Sequence, residues 1–66
     1  MKIVVNGEPV DIDGPLVITG LLAHLQIDPR RVAVEHNLAI VKKDRYDSTV
    51  VNADDRVEIV NFVGGG

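Results

Sequence analysis

Three glycines end the 66-residue sequence, Gly64-Gly65-Gly66, directly after the apolar run Val57-Glu58-Ile59-Val60-Asn61-Phe62-Val63. They bury nothing, and glycine loses more backbone freedom on folding than any other residue, so folding alone leaves them unexplained. Two properties make them useful as an arm. The segment extends away from a folded body, and no β-carbon obstructs the main-chain carboxylate of Gly66 as it threads into a narrow active site. A carboxylate is a poor electrophile, so a partner has to activate it, most simply as an acyl-adenylate made with ATP. A sulfur nucleophile then displaces AMP and leaves a thiocarboxylate on Gly66. In that reading the working group is Gly66, with Gly65 and Gly64 as its arm. The chain is then a recycled co-substrate, not an enzyme, and binds no cofactor itself. The bland alternative is a frayed tail.

The side chains offer little other chemistry. There are no cysteines, which removes disulfides, thiolate zinc sites and the commonest side-chain nucleophile. His24 and His36 have no second ligand at metal-binding spacing and read as surface histidines. Ser48 and Thr49 have no evident base, so a nucleophilic triad is not indicated. Lys42, Lys43 and Arg45 form a small basic cluster, either a partner-steering patch or a solvated loop. The net charge of −3 argues against a phosphate-backbone partner. No apolar run approaches the ~20 residues of a membrane helix, and the apolar start is too short for a signal peptide. A cytoplasmic protein without nucleic-acid or membrane partners is expected.

An arm needs a body that ends in the right place. Lys2 to Asn6 reads as a strand ending in the hairpin signal Asn6-Gly7, with a second strand at Val10 to Ile12. Ile18, Leu21, Leu22 and Leu25 fall at i, i+3, i+4 and i+7, one stripe of a helix of roughly two to three turns. Gly20 within it costs about 1 kcal/mol relative to alanine. Thr19 reads either as a cap or as a first-turn residue, and Asp28-Pro29 closes the region. Val32 to Glu35 and Leu38 to Val41 read as strands joined by a turn at His36-Asn37, Thr49 to Val51 as an apolar step, and Arg56 to Val63 as the last strand. Alternation along that strand sets Ile59 against Val60 and Phe62. With Ile59 in the core, Val60 and Phe62 become an outward apolar patch and a candidate partner-docking surface. The other reading packs Phe62 on its own sheet. The element order is that of an α+β fold, a β-grasp with a mixed sheet of four to five strands around one helix, forming one domain over residues 1–66.

The chain resembles the thiamine-biosynthesis sulfur carriers, the ThiS-like members of the ubiquitin-like β-grasp family. Val5-Asn6-Gly7-Glu8, Leu21-Leu22, Val32-Ala33-Val34-Glu35-His36-Asn37 and the run from Val57 into the glycines carry the likeness. The resemblance implies three partners. An E1-like, ThiF-like adenylyltransferase activates Gly66 with ATP. A cysteine desulfurase or equivalent donates sulfur. A ThiG-like thiazole synthase consumes the thiocarboxylate sulfur. Several positions depart from the family pattern. Lys42-Lys43 replaces a proline and basic residue, Tyr46 stands for a tryptophan, and Leu38 and Asp54 occupy turn positions where glycine is frequent. Val17 replaces a Thr helix cap, at a cost of roughly 1 kcal/mol. Related roles for the same tail are the small subunit of molybdopterin synthase, a carrier for another sulfur pathway and a ubiquitin-like protein modifier; in a further reading the chain is a plain β-grasp interaction module, for which the glycines are dispensable.

Overall fold

A computed structural model of the chain describes residues 1–62. The tail Gly64-Gly65-Gly66 and Val63, the expected last residue of the final strand, lie outside the described residues. Asn6 and Gly7 both take positive φ, 49° and 83°. That is the two-residue loop whose twist matches the right-handed twist of the strands it joins. It connects β1 (Lys2–Val5) to β2 (Glu8–Asp11) as an antiparallel hairpin with Val5 opposite Glu8. Strand β2 starts before the expected Val10 and takes Pro9 into its interior. It is an edge strand, so one side of its backbone requires no donor. Ile12 lies past its end, buried, with its N–H on the Met1 carbonyl at 2.8 Å.

Helix α1 (Ile18–His24) buries Ile18, Leu21 and Leu22 completely, as the stripe requires. Leu25 falls just outside it as the C-cap, half-buried against the core. A short strand not foreseen from the sequence, β3 (Leu16–Val17), runs straight into the helix and pairs with β6 (Val50–Val51). Two residues are too few to show a period. This pairing compensates for the missing cap at Val17. The N–H groups of Ile18 and Thr19 donate to the carbonyls of Thr49 and Tyr46, both at 3.0 Å. Thr19 is a first-turn residue whose hydroxyl donates to the Asp47 carboxylate.

The helix ends earlier than Asp28-Pro29 requires. Gln26 has φ of 61°, and Ile27 N–H returns to the Leu22 carbonyl at 2.8 Å, the usual arrangement around a left-handed residue after a helix. Asp28 instead caps a 3₁₀ turn, Pro29–Arg31, accepting the Arg30 N–H at 2.9 Å. Strands β4 (Val32–His36) and β5 (Ala39–Val41) follow as a hairpin. Its turn is Asn37-Leu38, at φ of 50° and 73°, one residue later than His36-Asn37. That register sets Val34 opposite Val41, so both face the core side.

After a 3₁₀ turn at Lys43–Arg45, Tyr46 enters the core with its hydroxyl donating to the Val32 carbonyl at 3.3 Å. The last strand is β7 (Arg56–Asn61), with Phe62 just past its end. It inserts between β1 and β4, giving the order β2-β1-β7-β4-β5, parallel to β1 and antiparallel to β4. The Asn6 side chain extends the join to β1. Its amide donates to the Ile59 carbonyl at 3.2 Å while its oxygen accepts the Ile59 N–H at 2.7 Å. Ile3, Val32, Val34, Val51, Val57 and Ile59 close over the helix. This is a β-grasp, with five strands in the main mixed sheet and one helix across it.

Candidate functional site: the root of the C-terminal arm

Strand β7 sits in the middle of the sheet, so it delivers Phe62 to one end of the molecule with neighbours on both sides. Alternation works as expected along it. Val57 and Ile59 are buried, while Val60 is 62% and Phe62 50% exposed. Val60 lies opposite Ala33 of β4, itself exposed. The two candidate docking residues are therefore on the surface, and the Gly66 carboxylate with Gly65 and Gly64 lies outside the described residues.

Phe62 is held at its backbone and covered on its ring. Its N–H donates to the Arg31 carbonyl at 2.8 Å. The Lys43 ammonium stands 5.3 Å from the ring centroid, within cation–π range. The same ammonium donates to the Arg30 carbonyl at 3.0 Å. Three segments far apart in sequence thus meet at the arm's root. Sequence reasoning treated Lys43 only as one of three loop cations and passed over Arg30 and Arg31. Only the β4–β7 pairing sets the 3₁₀ turn before β4 beside the residue after β7. Arg30 also forms an ion pair with Asp28 at 2.9 Å, and Arg31 approaches the same carboxylate at 3.8 Å. The Arg30 side chain and then its N–H hold the Asp28 carboxyl down at about 2.

His36 departs from the reading as a surface histidine. Its ring nitrogen lies 2.8 Å from Asp55, with the two side chains only 19% and 18% exposed. Burial pushes the Asp55 carboxyl upward, but the Asn52 N–H, His36 and Asn37 outweigh it and leave the group below its ordinary value. The pair ties the β4–β5 turn to the turn before β7, where Asp54 takes φ of 69°. His24 is exposed at the end of α1. Among the described residues no three His, Cys, Asp or Glu side chains gather as metal ligands. The Ser48 hydroxyl faces the Arg45 carbonyl at 3.4 Å, and the Thr49 N–H donates to that same oxygen at 2.9 Å. Among the described residues no helix is long and apolar enough to cross a membrane.

The ThiS family model matches residues 3–66. The chain is 47% identical over 66 residues to a thiazole synthase of Paramagnetospirillum magneticum, covering all of this chain but 20% of that relative. It therefore spans about a fifth of that protein's length. It is 45% identical over 49 residues to the sulfur carrier protein ThiS of Bacillus subtilis, covering 74% of each. The crystal structure of the thiamine biosynthesis protein ThiS from Geobacter metallireducens superposes with a TM-score of 0.88 at 38% identity, over the full length of both chains. The match to the family model over nearly the whole sequence and the matching β-grasp fold together show that the chain belongs to the ThiS family.

Proposed function

We propose that this chain is a sulfur carrier for the thiazole of thiamine, acting as a single domain over residues 1–66 with Gly66 as the group-bearing residue. The Gly66 carboxylate attacks the α-phosphorus of ATP in an E1-like, ThiF-like enzyme, releasing pyrophosphate. A sulfur nucleophile supplied through a cysteine desulfurase or equivalent displaces AMP, and a ThiG-like thiazole synthase consumes the sulfur of the resulting thiocarboxylate. The chain contributes no catalytic residue and no resident cofactor. It presents the arm through Gly64 and Gly65 and docks through Val60 and Phe62. This role belongs in the cytoplasm.

Family membership supports the carrier reading, and the names of the relatives supply the pathway: one is a thiazole synthase, another a thiamine biosynthesis protein. The observation that carries it is the exposed pair Val60, on the central strand, and Phe62, just past its end, in the sequence that leads into the glycines. The test is intact-mass measurement after incubation with the E1-like enzyme, ATP and a sulfur source. A gain equal to exchanging one oxygen for sulfur, lost when Gly66 is deleted, is the expected result. No change with an enzyme active on another carrier would refute the proposal.

A further inference from the structure

Lys43 reaches the root of the arm from a fixed base. It opens the 3₁₀ turn Lys43–Arg45, and its carbonyl accepts the N–H of Tyr46, whose side chain is buried in the core, at 3.1 Å. Two successive carbonyls of the Pro29–Arg31 turn then complete a closed circuit of contacts. Arg31 accepts the Phe62 N–H at 2.8 Å, Arg30 accepts the Lys43 ammonium at 3.0 Å, and that ammonium stands 5.3 Å from the centroid of the Phe62 ring. Among the described residues no carboxylate pairs with Lys43, so its charge is left to the carbonyl and the ring. Phe62 lies past the end of β7, where one backbone bond and this stack take over from the strand ladder.

We propose that Lys43 is a positioning residue for group transfer at Gly66: its clasp on Phe62 sets the direction in which the arm leaves the body. The inference rests on the carrier reading above. Glycine backbones hold no direction of their own, so the body can aim the arm only at its root. The four residues after Phe62 reach at most about 14 Å, and turning their root by about 30° displaces the far end by about 7 Å. A carboxylate that must meet the α-phosphorus in line tolerates far less, because the gain from holding reactants in place is lost over about 1 Å. The clasp acts after the two surfaces have met, and therefore on kcat and not on KM.

The test is steady-state adenylation by the activating enzyme at saturating ATP, followed as pyrophosphate release while the concentration of this chain is varied. Lys43→Met keeps an apolar stem beside the ring and removes the charge and the donor. Its kcat falls about fivefold while KM stays within about twofold of wild type. Partial unfolding gives the opposite pattern, since it lowers the competent concentration of the varied chain and raises KM. Lys43→Arg, which retains a cation and a donor, restores kcat. Lys42→Met removes the same charge one residue away and leaves both constants unchanged. In NMR spectra the Lys43 Hε protons lie upfield of those of Lys42 through the ring current of Phe62, and the displacement disappears in Phe62→Leu. A Lys43→Met variant with wild-type kcat overturns the clasp while the carrier reading stands. So does a rise in KM alone, or an equal loss of kcat in Lys42→Met. A wild-type chain that releases no pyrophosphate overturns both.

Discussion

Phe62 is exposed yet restrained, with its N–H on Arg31 and its ring beneath Lys43. A large aromatic ring held in place loses little freedom on binding, which is why such residues dominate contact energies at interfaces. Phe62→Ala should therefore slow sulfur loading about tenfold, equivalent to about 1.4 kcal/mol. Far-UV circular dichroism and the melting temperature should stay at wild-type values. A loading rate within twofold of wild type would return Phe62 to the role of sheet packing. Tyr46 is the opposite case, an aromatic whose task is internal. Its hydroxyl satisfies the Val32 carbonyl beneath the sheet, so Tyr46→Phe should cost about 1 kcal/mol in urea unfolding without altering loading.

At the level of elements, two positions hold residues that the local backbone does not favour. Gly20 lies inside α1 at ordinary helical geometry, and a β-carbon there would meet Leu16 Cδ2 at 3.6 Å, an ordinary contact. Gly20→Ala should stabilise the chain by about 1 kcal/mol, read as a higher urea midpoint at constant slope. Leu38 sits at φ of 73° with 82% of its surface exposed, so it bears left-handed strain and buries almost nothing in return. Leu38→Gly should raise stability by about 1 kcal/mol in the same assay. A decrease would mean that Leu38 contributes packing its exposure conceals.

Across the whole molecule, the contact between His36 and Asp55 connects stability to pH. Asp55 is depressed in the folded state, so its contribution is complete above the unfolded value of 3.8 and is lost as pH falls through the lower folded value. Acid should therefore protonate Asp55, release His36 and loosen both turns at that end of the sheet. The melting temperature should fall more steeply below pH 4 in wild type than in Asp55→Asn, whose carboxylate is already absent. Parallel curves would remove Asp55 from the acid response.

The sequence by itself determined the elements whose signal is local. Asn6-Gly7 specifies its hairpin because the turn demands positive φ at both positions. The stripe from Ile18 to Leu22 specifies the helix because burial repeats every three to four residues. Alternation in β7 set Val60 and Phe62 outward on the condition that Ile59 is core, which its burial meets. Other features depended on residues far apart in the chain. The β3–β6 pair was too short to carry a period, and the shift of the second hairpin to Asn37-Leu38 follows from keeping Val34 and Val41 on the core side. The meeting of Arg30, Arg31 and Lys43 around Phe62, like that of His36 with Asp55, spans 13 or more residues. Such contacts exist only after β7 inserts between β1 and β4, because that insertion, and no local preference, sets which loops lie side by side.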